Sequence, residues 1–182
     1  MKKRDWISIA LAAALLFSAC TNKQGETEAP VFITVNLPQQ PLIINVNVAA
    51  PVQIQTINLQ SRLKNASQTD PQHFADVQVS FYTVTFFRRD GGTRVPPVQQ
   101  FAAAVLVPSG GAATLSNFPV MTASAVQQSP FDQLFSFNGG FDRETGLNEI
   151  HLFYDLTFFG QTVSGQRVQS ETATGDLFFQ AR

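Results

Sequence analysis

A single cysteine among 182 residues leaves no partner for an internal disulfide and no basis for a thiolate metal centre. Histidine is almost as scarce, with only His73 and His151, and neither an HExxH signature nor a phosphate-cradling glycine loop occurs. Charge is thin as well: Asp, Glu, Lys and Arg make up 14% of the chain, where ordinary soluble proteins carry about 25%. No basic patch emerges from so few charges, which sets nucleic acid aside as a partner. The apolar run from Ile7 to Phe17 is 11 residues long. A helix of that length covers about 16 Å of a hydrocarbon core ~30 Å thick, too little for a comfortable membrane span.

What is present at the start is a leader. "MKKRDWISIALAAALLFSAC" opens on Lys2, Lys3 and Arg4, runs through the apolar segment and ends in small residues, the layout of a secretory signal. Phe17 stands where a general cleavage site after Ala19 wants a small residue. The pattern "FSAC" instead resembles the lipobox of bacterial lipoproteins, in which a bulky apolar residue and two small ones precede the cysteine. Leucine is usual at the position of Phe17, and Leu16 lies one place too early. The resemblance implies cleavage between Ala19 and Cys20 and a thioether-linked diacylglycerol on Cys20, which becomes the new amino terminus. With ~0.8 kcal/mol per buried CH₂, two or three acyl chains hold a protein on a bilayer without spanning it. Thr21 rather than aspartate follows the cysteine. In Gram-negative lipoproteins this implies the outer membrane, on its periplasmic or its surface side. The plainer alternative makes Cys20 a small hydrophobe at the edge of an ordinary signal.

Residues 1–19 removed, 163 remain, enough for one domain with a real core. Three basic residues and one acidic residue leave with the leader, so the mature net charge is −3. Trp6, the only tryptophan, leaves too. Residues 20–30 read as the lipidated cysteine and a polar tether, since "TNKQGETEAP" has no apolar residue larger than alanine. Those ten residues reach at most about 33 Å.

From residue 31 to 182 the apolar residues recur with period two, the mark of strands with one buried face. Val31, Ile33, Val35 and Leu37 form one set, and Leu42, Ile44, Val46 and Val48 a second. A third begins at Val52 and Ile54 and changes phase to Ile57 and Leu59, as a bulge or a change of sheet requires. In "DVQVSFYTVTFFRR" the spacing puts Val77, Val79 and Phe81 on one face and Tyr82, Val84 and Phe86 on the next, with a kink between. "DGG" at Asp90 to Gly92 predicts a tight hairpin. "AAAVLV", a glycine turn and "ATLSNFPV" follow, and "QQSPFDQLF" reads as one helical turn. "EIHLFYDLTFF" sets Ile150, Leu152, Tyr154, Leu156 and Phe158 on one face, and "RVQSETATGDLFFQA" returns beside it. About nine strands with almost no helical pattern predict an all-β antiparallel sandwich, immunoglobulin-like or fibronectin type III-like. "SFYTVTFFRRDGG" resembles the central strand and hairpin of fibronectin type III modules over those 13 residues alone.

Phenylalanine is abundant, 17 residues, and three adjacent pairs stand out: Phe86 with Phe87, Phe158 with Phe159, and Phe178 with Phe179. Neighbours on a strand point to opposite faces, so each pair sends one ring into the core and one outward. Phe87 and Phe159 are the candidate interaction residues, unless a loop of the protein covers them.

Chemistry is harder to find. In "NGGFDRETGLNE" the oxygens of Asp142, Glu144, Asn148 and Glu149 surround Gly146 as in calcium loops. The glycine comes one place too early for an EF-hand and no helices flank it, so a solvated loop is the simpler reading. Two neighbouring carboxylates in one loop are poorly placed for glycoside hydrolysis, which needs them across a cleft. His73 or His151 could be paired on paper with Ser109 or Ser164, but neither serine lies in a nucleophile elbow. No catalytic residue, metal or cofactor is expected. The expected function is non-catalytic: an envelope lipoprotein binding a protein or envelope component, or taking part in surface assembly. A carbohydrate-binding module on the same fold is the alternative, weakened by a mature chain without tryptophan and with only Tyr82 and Tyr154. A hydrolase with an unrecognised site is the third.

Overall fold

The computed structural model describes residues 29–181. Nine strands form there: β1 (Val31–Asn36), β2 (Leu42–Asn45), β3 (Val52–Leu63), β4 (Val77–Arg88), β5 (Gln99–Val107), β6 (Ala112–Met121), β7 (Glu149–Thr162), β8 (Arg167–Gln169) and β9 (Ala173–Gln180). A three-stranded sheet in the order β1-β3-β6 faces a larger one in the order β2-β9-β7-β4-β5, with β8 also paired to β7. This is an all-β sandwich. One pair departs from the expected antiparallel rule, because β2 runs parallel to β9, Leu42 opposite Leu177. The folded part takes in Ala29, which is buried, and Pro30, whose carbonyl accepts from Lys64 N at 2.8 Å.

The alternation in the chain becomes the inner faces of both sheets. Ile150, Leu152, Tyr154, Leu156 and Phe158 of β7 are all buried, as are Val31, Ile33, Ile54, Ile57 and Leu59 of the opposing sheet. Tyr82 sits at the centre. Its ring lies 3.9 Å from that of Phe118 across the sandwich, and its hydroxyl donates to Pro119 O at 2.6 Å. Burial pushes the Tyr82 phenol well above its ordinary pKa, so it remains a donor.

Both expected changes of phase are present. In β3, Gln55 and Thr56 face solvent in succession, and so do Ser116 and Asn117 of β6. Asn117 adopts φ 51°, a left-handed conformation asparagine tolerates better than most residues, and this turns the strand over. In β4 the register shifts between Val79 and Phe81 against both neighbours. Against β7 the extra residue is Ser80, while on β5 Ala103 and Ala104 stand opposite it, and Phe81 emerges on the outer face rather than with Val77 and Val79 as the spacing predicts. At this bulge β7 comes so close that a Cβ on Gly160 would collide with Gln78 O and the Val79 backbone.

The tight hairpin predicted at Asp90 to Gly92 is not formed. The chain turns there, with Gly91 at φ 89°, but β5 begins only at Gln99. Residues 122–148 carry a four-residue helix, α1 (Ala123–Val126), capped by Thr122, and two short 3-10 turns at Phe131–Leu134 and Ser136–Asn138. Phe131 plugs the end of the core, 4.0 Å from the Phe179 ring.

Candidate functional site

Each phenylalanine pair divides between the faces as its strand position demands. Phe86, Phe158 and Phe179 are buried, while Phe87, Phe159 and Phe178 lie on the solvent side of the larger sheet. Cross-strand neighbours on that side are about 4.8 Å apart, the right spacing for rings to stack. Phe159 stacks on Phe81 at 4.9 Å and Phe87 on Phe153 at 4.9 Å. Phe178 lies 3.9 Å from the His151 ring. Phe153 and Phe159 are separated along β7 by about 20 Å, at ~3.3 Å per residue. Between them run Thr83, Thr85, Asp155, Thr157 and Thr174. Phe87 is 39% exposed. Phe81, Phe153, Phe159 and Phe178 are half-buried.

Phe81, Phe153 and Phe178 thus join the two residues expected there. Phe153 was readable as the phase opposite to Ile150 and Leu152. Phe81 was hidden by the bulge. A depression of about 530 Å³ lies beside one pair, lined by Ser80, Phe81, Phe159, Gln161, Arg167 and Gln169 among others.

In the loop from Asp142 to Glu149 the carboxylates of Asp142 and Glu144 meet an arginine, a threonine and backbone N–H groups. Arg88 leaves β4 with its side chain only 2% exposed and donates from Nε to Asp90 Oδ1 at 2.6 Å and from Nη2 to Asp142 Oδ2 at 2.6 Å. Asp142, wholly buried, also accepts from Thr145 N and Oγ1. Glu144 reaches across to Thr93 N, Thr93 Oγ1 and Arg94 N at 2.7, 2.8 and 3.0 Å. Burial works against every charge here, yet the hydrogen bonds with Arg88 outweigh it and hold Asp90 and Asp142 below the ordinary carboxylate range. For Arg88 burial likewise opposes the charge, and its bonds to Asp90 and Asp142 keep its pKa raised. Glu144 is lowered chiefly by the backbone N–H groups of Arg94 and Thr93. The carboxylates are occupied by an arginine and by backbone. Among the described residues no group of three or more His, Cys, Asp and Glu side chains is placed to hold a metal.

The histidines and serines do not meet. His73 Nδ1 lies 3.3 Å from Asp76, whereas Ser109 Oγ donates to Asp70 at 2.9 Å and Ser109 N to Asp76 at 2.7 Å. Asp70 also accepts from Phe74 N and Ala75 N, so this cluster organises a loop. His151 Nε2 lies 3.1 Å from Asp176, which Arg89 also contacts at 3.0 Å. Ser164 shares a hydrogen bond with Thr162. Among the described residues neither histidine is hydrogen-bonded to a serine side chain.

Ala19 and Cys20 lie outside the described residues. Neither a comparison with protein-family models nor one with curated proteins gives a match.

Proposed function

We propose that this chain is a non-catalytic envelope lipoprotein, held to the outer membrane by lipid on Cys20. Its sandwich binds a protein or envelope component through the outer face of the larger sheet. The observation that supports this most is the set of stacked, partly exposed phenylalanines on that face, at Phe87 with Phe153 and Phe159 with Phe81. Rings of this kind are normally kept inside, and an apolar patch on the solvent side marks a contact surface. The lipobox-like "FSAC" supports the anchor.

The anchor is tested with the full chain. Radiolabelled palmitate enters the wild type and not Cys20→Ser, which leaves the membrane fraction, and the processed protein, having lost Trp6, shows no tryptophan emission. Retention of unlabelled Cys20→Ser in the membrane overturns the anchor.

One observation favours the carbohydrate reading: the depression beside Phe159 combines apolar rings with Ser80, Gln161, Arg167 and Gln169. Against it, stacking takes up one flat side of each ring, and sugars need such a side open. Titration with envelope oligosaccharides tests it: this reading expects saturable binding that is lost in Phe159→Ala, and an absence of binding overturns it.

A further inference from the structure

The two sides of the sandwich are closed unequally. On one side Glu171 N donates to Ile33 O at 2.9 Å, tying β1 to the segment after β8. On the other side the last strand of each sheet has no described strand beyond it: β5 ends the larger sheet and β6 the smaller. These two strands are consecutive, joined by the turn in which Gly111 N donates to Pro108 O, and tied at the far end by Thr122 Oγ1 to Gln99 Oε1. They make one wall.

That wall carries no ionisable side chain from Val95 to Phe131. Edge strands expose a row of free N–H and C=O groups, and proteins commonly guard them with lysines, prolines or bulges. β5 has no charge and no proline between Gln99 and Val107; its one irregularity is the register shift opposite Val79 and Phe81. The outward side chains Gln100, Ala102 and Ala104 are small or neutral, and Leu106 and Val98 are 48% and 59% exposed.

We infer that two copies of this chain pair through β5, edge to edge and antiparallel, about a two-fold axis at Ala102. Such an edge repays no partner charge for the water it loses, so it fits a surface equally free of charge, and its own copy is one. The axis makes the contact self-complementary: Leu106 faces Val98 of the second copy, Ala104 faces Gln100, and the alanines allow close approach. Nine residues of strand span about 30 Å, and two sheets ~10 Å apart with their side chains give a wall about 20 Å deep. About 1,200 Å² is then buried in all, the lower bound for a specific interface. This inference is independent of how the chain is anchored.

Cysteine cross-linking of the full chain tests it. Across an axis at Ala102 the two Cα atoms fall about 4.5–5.5 Å apart, within disulfide reach. After mild oxidation, Ala102→Cys gives a non-reduced band at twice the chain mass. Every variant also carries Cys20→Ser so that no native thiol contributes; the band is absent without Ala102→Cys and at least about tenfold weaker for Ile43→Cys, an exposed site on the opposite edge of the same sheet. Adding Ala104→Lys to Ala102→Cys reduces the band by a similar factor. A dimer band no stronger than that of Ile43→Cys, indifference to the lysine, or a cross-link to a different protein each overturns the pairing.

Discussion

The interior of this sandwich and its loop end beside Arg88 hold the chain by opposite means. Between the sheets, stability is spread over many apolar side chains, from Val31 to Phe179, and each contributes through area removed from water. At the loop end it is concentrated in a few charges: Arg88 with Asp90 and Asp142 beneath the surface and Glu144 at the rim. A distributed apolar core tolerates exchange of one side chain for another of similar volume. A buried charge cluster tolerates no loss of a partner, because each remaining charge has already lost its water.

The largest effect is expected from the interior. Phe158→Ala removes a buried ring packed against Tyr82 and Phe118, at a cost of about 3–5 kcal/mol. At 2–4 °C per kcal/mol for a domain of this size, that is a fall in Tm of roughly 6–20 °C. Because no titrating group is involved, thermal unfolding at pH 5 and pH 8 should give the same loss. A strongly pH-dependent loss would show that the interior and the loop end are not separate.

Arg88→Ala probes the other region, leaving Asp142 buried without a counter-charge. Breaking a buried pair costs about 3 kcal/mol or more, and the partly wet Glu144 places this case toward the low end. Asp90, Asp142 and Glu144 all titrate below their unfolded values. Their contribution is therefore complete above about pH 5 and is lost as pH falls through the folded values. The gap between wild type and Arg88→Ala should narrow from pH 7 toward pH 3. A gap that is constant across this range would mean the arginine acts by packing alone.

The same contrast explains what could be read from the chain. The β7 inner face and the split of each phenylalanine pair follow from a local period of two, and any residue carries that signal to its neighbours. Arg88 and Asp142 are 54 residues apart, and nothing in "FFRRDGG" announces that the arginine will turn inward and recruit both loops. For that reason the glycines of "DGG" suggest a hairpin where the structure has a ten-residue loop. Ser80 shows the limit of periodicity itself. The kink was legible from the change of phase, but which residue is extra depends on the register with both β5 and β7, so Phe81 is assigned to the wrong face. The parallel pairing of β2 with β9 likewise joins segments more than a hundred residues apart.

The smallest effect is the one that bears on function. Phe159 differs from Phe158 by one position and by the face it meets, half-buried with Phe81 as its stacking partner and Arg167 and Gln169 beside it. Truncation to alanine forfeits the stacking, worth about 0.5–1.5 kcal/mol, and little burial. Phe159→Ala should therefore lower Tm by no more than roughly 2–6 °C, and Phe87→Ala by a similar amount through its contact with Phe153. Binding behaves the other way round, since a ring at the centre of a contact surface contributes far more to the complex than to the fold. Phe87→Ala and Phe159→Ala should remain folded and abundant and yet lose any measurable partner. If Phe159→Ala unfolds as readily as Phe158→Ala, the outer ring is part of the core by another route, and the contact-surface reading loses its main support.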